Sequence, residues 1–303
     1  MYNIIMSKKT LGIKDSCLSF VSAFILAQLA VVLFVLVLSI LFNVFKFDIS
    51  VEVFTNTAVG YLICTIILNL TLLFVFLYFQ KNSTNKIHKK PTLKKLCLYI
   101  TIGALAFFTL SPIVTCVDTL LFNLNFRQNT IPYSLTTANY TISIFSLALL
   151  PAIFEELLFR GLIFKGLKPH GKRFAIIISA IMFCLFHVSI EQTIYPILMG
   201  LLMGVIMFYE NNIIYTITIH FVSNFLAITL QYFNINLILN HWTFILLAVI
   251  LVAIFLSVVI FFILKNHKQE EHQPVNRSEK FYIAISLIGL IVIWIINSLS
   301  LLS

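Results

Sequence analysis

The chain of 303 residues is 60% hydrophobic and only 10% charged, with a mean hydropathy of +1.04. No water-soluble core of this length could hide so much apolar surface, which excludes a soluble globular domain and points to an all-α, polytopic membrane protein. A formal charge of +9 would raise nucleic-acid binding in a soluble protein, but in a membrane chain topology accounts for the sign, and no nucleic-acid partner is expected.

A bilayer-spanning helix needs about 20 predominantly apolar residues. About nine stretches, within a range of eight to ten, are candidates on that scale: 16–44, 53–80, 96–124, 138–165, 174–190, 194–209, 213–233, 242–264 and 281–302. The first is too long for a signal peptide and lacks a small-residue cleavage site, so it is expected to stay as a span. With the N-terminus in the cytoplasm, alternation puts Lys8, Lys9, Lys14, the lysines of 81–95, Arg160 to Arg173 and Lys265 to Lys280 inside. Only Lys46 and Arg127 fall outside. Such asymmetry is what short loops of a membrane protein carry, and the basic loops are expected to face anionic lipid.

The expected organisation is a cytoplasmic tail over 1–15, one membrane domain over 16–264, a hydrophilic cytoplasmic linker over 265–280, and a last helix over 281–303 that serves packing or anchoring. Cys17, Cys64, Cys97, Cys116 and Cys184 are scattered singly, so they read as small apolar residues and not as disulfides or a zinc ribbon. Gly200 and Gly204 are spaced for close helix approach. The chain has no internal repeat and no matched pair of Gly/Pro-broken helices, which weakens a transporter reading.

Ionisable side chains inside hydrocarbon each cost about 2.5–3.5 kcal/mol on insertion scales, so each marks a candidate function. Away from helix ends they are Asp118, Glu155, Glu156, Arg160, His187 and His220. The other histidines, His88, His170, His241, His267 and His272, fall in loops or at span boundaries. Glu156 and Arg160 stand at i and i+4, acid first, the favourable order for an ion pair. Glu155 is rotated about 100° from them, which leaves it free to face a reaction centre. His220 and Asn224 share a face by the same spacing, as do Phe183 and His187. Counting about 1.5 Å per residue from the basic loops, Glu155, His187, His220 and Asn224 come out roughly 10–20 Å below the surface, so spans four, five and seven could bring them together around a water-filled cavity.

These segments, Glu155-Glu156-x-x-x-Arg160, Phe183-x-x-x-His187 and His220-x-x-x-Asn224, resemble in order the three signature motifs of the CPBP family of intramembrane proteases. That family includes the type II CAAX prenyl endopeptidases and the bacterial Abi proteins of bacteriocin processing and self-immunity. The resemblance covers about 140–230 and places a family-like catalytic core over about 138–233. It implies an intramembrane endopeptidase in which Glu155 and His187 activate water, His220 and Asn224 stabilise the oxyanion, and Glu156 and Arg160 fill the remaining motif positions.

The chemistry of the residues agrees, since peptide hydrolysis needs a base on water and donors aimed at a tetrahedral oxyanion. Two forms stay open: glutamate-type hydrolysis with no cofactor, or zinc hydrolysis with Glu155, His187 and His220 as three ligands and an open fourth position. No H-E-x-x-H helix is present, and Cys184 reads as packing. Rival readings are a non-catalytic scaffold or bacteriocin immunity factor, and a proton-coupled transporter, for which Asn224 would have no use. Low Gly and Pro with abundant Asn, Ile, Lys and Phe fit an AT-rich bacterial genome. The expected setting is therefore a bacterial cell membrane, with a peptide precursor or membrane-protein tail as substrate.

Overall fold

The computed structural model describes residues 10–81, 90–126, 131–235, 242–265 and 273–301. These residues fold as helices without a β-strand: α1 (Ile13–Phe45), α2 (Val51–Thr55), α3 (Ala58–Gln80), α4 (Leu93–Asn123), α5 (Thr137–His170), α6 (Lys172–Phe186), α7 (Ile194–Glu210), α8 (Ile213–Tyr232), α9 (Trp242–Leu264) and α10 (Arg277–Ser300). Among the described residues six of them, α1, α3, α4, α5, α8 and α10, are long and apolar enough to cross a membrane. Large apolar side chains stand exposed along their outer faces, such as Leu33, Ile40, Leu105, Phe122 and Ile296. In water such a surface would aggregate. Against lipid tails it needs no cover.

The stretches read as 174–190 and 194–209 form two shorter apolar helices, α6 of 15 residues and α7 of 17 residues. They make an antiparallel pair, as close as Gly200 and Gly204 allow: a Cβ on Gly200 would come within 3.1 Å of Ala180, and one on Gly204 within 3.2 Å of Ile176. The stretch read as 53–80 is broken. The short α2 ends at Thr55, and α3 restarts behind Thr57, whose Oγ1 accepts the Gly60 N–H at 3.1 Å.

One end of the bundle gathers the basic residues. Lys95 of α4 pairs with Glu210 of α7 at 2.5 Å, Arg173 of α6 donates to the Leu264 carbonyl of α9 at 3.2 Å, and Lys14 of α1 lies over the Tyr282 ring of α10. His170 meets the Gln273 carbonyl there at 3.0 Å; His88, His241, His267 and His272 lie outside the described residues. All five cysteines are free. Cys17 and Cys184 are buried, whereas Cys97 is on the outer surface of the bundle, so burial does not hold for every one of them.

Candidate active site

The helix that carries both glutamates is irregular in a way the sequence explains. Two π-helical turns, Ile144–Leu149 and Phe159–Ile163, bracket the α-helical stretch Leu150–Leu158. Such bulges shift the register of a helix face and leave carbonyls to seek other partners. Pro151 lacks the N–H that would reach the Leu147 carbonyl four residues back. Asn224 of α8 takes its place, its Nδ2 donating to Leu147 at 3.1 Å. The second π-turn is held from outside by Ser16 of α1, whose Oγ donates to the Ile163 carbonyl at 3.0 Å. A proline and two helix neighbours thus fix how α5 presents Glu155 and Glu156.

The two glutamates have different surroundings. Glu156 and Arg160 are both fully buried, with Nη1 donating to Oε1 at 2.7 Å. Arg160 also reaches the Gly200 carbonyl from Nη2 at 3.4 Å, and its guanidinium lies 4.5 Å from the centre of the Phe183 ring. The same Glu156 oxygen receives a second contact, from His220 Nδ1 at 3.2 Å. A carboxylate already held by an arginine accepts here, so His220 Nδ1 carries the hydrogen. The opposite ring nitrogen, Nε2, stands 4.0 Å from Glu155 Oε2. That oxygen is buried with no hydrogen-bond partner among the described residues.

His187 sits at the end of α6 and not within a long span. Its backbone N–H turns to Cys184 at 3.2 Å as the helix closes. The Phe183 carbonyl released by that turn takes His187 Nδ1 at 2.9 Å. A carbonyl can only accept, so Nδ1 donates and the neutral imidazole keeps a lone pair on Nε2. Phe183 therefore does more than open a motif: its ring lies edge-on to His187 at 5.0 Å and to His220 at 5.8 Å, with Arg160 on its face. The i, i+4 spacing gave one of these contacts, and the others needed the fold.

Glu155, His187, His220 and Asn224 line one cavity of about 1060 Å³. That is at the upper end of the range for small-molecule pockets, about 300–1,000 Å³, and leaves room for water together with a length of extended peptide. Asp118 and Glu191 line it too, as does Asn69, a fully enclosed amide of α3 whose Oδ1 has no partner among the described residues. Asp118 was legible in the sequence as an ionisable group inside an apolar run. Asn69 carried no such signal, because an isolated amide in a helix is ordinary.

The six residues singled out in the sequence thus fall in one place. Glu156, Arg160 and His220 are joined by hydrogen bonds, Glu155 faces His220, and His187 and Asn224 share their cavity. The zinc alternative fits less well. Among the described residues no three His, Cys, Asp or Glu side chains converge as metal ligands.

No curated protein and no solved structure matches this chain. The description of the family model that does match is type II CAAX prenyl endopeptidase Rce1-like, over residues 137–226. That segment runs from the start of α5 into α8 and contains all six candidate residues, so the match supports, over residues 137–226, the CPBP-family resemblance read from the three motifs.

Proposed function

We propose that this chain is an intramembrane endopeptidase that hydrolyses a peptide bond with a water held between Glu155 and His187. The observation that carries the reading is the division of labour between adjacent glutamates. Glu156 is committed to Arg160 and His220, while Glu155 keeps a free oxygen on the cavity wall that His187 and Asn224 also line.

Glu155 takes a proton from water while His187 Nε2 orients it. The water oxygen bonds to the peptide carbon, and the carbonyl electrons move onto oxygen. We assign the oxyanion contacts to Asn224, which has a second N–H beyond the one given to Leu147, and to His220, whose ring Glu156 orients at Nδ1. Glu155 then passes its proton to the amide nitrogen, the carbonyl re-forms as the C–N bond breaks, and the new carboxylic acid gives its proton to the departing amine, so that a carboxylate and an ammonium leave. In this reading Glu155, His187, His220 and Asn224 supply every step.

The substrate class we assign is a membrane-associated peptide or protein tail that enters from the basic end of the bundle. We place that end and the N-terminus in the cytoplasm of a bacterial cell, following the distribution of lysine and arginine. The decisive experiment is cleavage of a quenched fluorescent peptide by the purified full-length protein in detergent. Cleavage should fall by about 10²-fold or more in Glu155→Gln, and activity equal to wild type in that variant would overturn the mechanism.

A further inference from the structure

His187 is followed by a backbone conformation that its sequence does not favour. Val188 has φ of 52°, in the left-handed region. A helix commonly ends this way on glycine or asparagine, whereas a β-branched residue there is an outlier that persists only when its surroundings hold it. The holding groups come from α10. The Val188 carbonyl accepts a hydrogen bond from Asn297 Nδ2, and the Ser189 carbonyl accepts one from Trp294 Nε1 at 3.1 Å. Residues 294 and 297 are three apart and lie on one face of the helix. Ser189 is buried and its carbonyl also accepts from Thr193 Oγ1 at 2.9 Å, while the Val188 carbonyl, beside the cavity, has its side-chain donor from α10.

The helix is itself anchored far from this turn. Asn276 and Glu279 close a capping box at its start, where Glu279 approaches His170 at 3.8 Å and Tyr282 meets Lys14. At the other end Asn297 and Ile293 line the same cavity as Glu155 and His187. Helix α10 is outside the Rce1-like segment at 137–226, yet it touches the residues next to the imidazole.

We propose that α10 is a positioning element of the active site, in which Trp294 and Asn297 hold the left-handed turn at Val188 and so fix the imidazole of His187 toward the cavity. The inference rests on the reading of His187 as a group that orients water. The ring is locked by its bond to the Phe183 carbonyl, and that carbonyl is released only because the helix closes at His187. Relaxation of Val188 toward a right-handed conformation would continue the helix and take the carbonyl back.

The test uses full-length protein carrying Trp294→Phe, which keeps the ring but removes the donor, and Asn297→Leu, with Asn297→Asp in its place should the leucine variant fail to fold. Ile296→Ala, on the exposed face of the same helix, is the control and should match wild type. Each donor variant is expected to lower kcat about 10-fold or more, since small misplacements of a catalytic group carry losses up to about 10²-fold, with KM changed less than about twofold. In protein labelled with ¹⁵N-histidine, the His187 resonances should shift from a fixed Nδ1–H tautomer toward an average of both. Val188→Gly added to Asn297→Leu should recover part of the activity, because glycine enters the left-handed region without the steric penalty. Wild-type kcat in both donor variants, or lost activity with unchanged His187 resonances and no recovery by glycine, would overturn the proposal. If wild-type protein cleaves no peptide, the hydrolase reading fails, while the histidine spectrum still decides the role of α10.

Discussion

Glu155 and Glu156 differ by one position and by almost everything around them. Replacing Glu156 with glutamine strands Arg160, which is fully buried with no water to take over its charge. Breaking one partner of a buried pair typically costs about 3–5 kcal/mol, so Glu156→Gln should lower both thermal stability and activity. Thermal unfolding of the purified variant measures the first, and a melting temperature equal to wild type would mean that the two glutamates have been given the wrong roles. Glu155→Gln and His187→Ala are expected to leave the melting temperature nearly unchanged and to reduce cleavage by about 10²–10⁴-fold, the usual contribution of a general base. Asn224→Ala should reduce kcat by about 10²–10³-fold, as loss of an oxyanion donor does.

At the scale of elements, the irregular α5 is the feature on which the site depends. The Leu147 carbonyl is available to Asn224 because residue 151 is proline. Pro151→Ala would restore an N–H four residues beyond Leu147 and let the helix satisfy its own carbonyl. The expected result is unchanged or slightly raised stability with kcat lowered about tenfold or more, because Asn224 would no longer be held in the orientation that aims its second N–H. Full activity in Pro151→Ala would separate the proline from the site. The α6–α7 pair acts at the same scale: its close approach at Gly200 brings a backbone carbonyl to Arg160, and its early end places His187 in the cavity.

For the whole molecule, we propose that the gathering of lysine and arginine at one end marks the cytoplasmic side, from which a substrate would enter. In protein freed of its native cysteines, a single cysteine at Lys90 or Lys168 should react with an impermeant thiol probe only from the cytosolic side. One at Ser134 should react only from outside. Labelling of inverted and right-side-out vesicles checks this, and the reverse pattern would move the scissile bond to the other compartment.

The sequence by itself determined the class of the molecule and singled out most residues of the candidate site. Hydropathy forces helices in lipid, since each backbone group must be satisfied within its own segment. Charged and imidazole side chains are rare inside apolar runs, so Glu155, Glu156, Arg160, His187 and His220 stood out, and i, i+4 spacing gave the Glu156–Arg160 pair directly. What it could not give were relations between residues far apart in the chain. The contact of His220 with Glu156 spans 64 positions, and that of Trp294 with Ser189 spans 105; no local periodicity encodes either. Apolar composition also did not show how α6 and α7 pack, because hydropathy measures burial and does not distinguish lipid from protein as the apolar neighbour. Only the packed bundle decided that these two helices form a close antiparallel pair, that the first ends at a histidine, and that the last helix of the chain reaches the turn behind it.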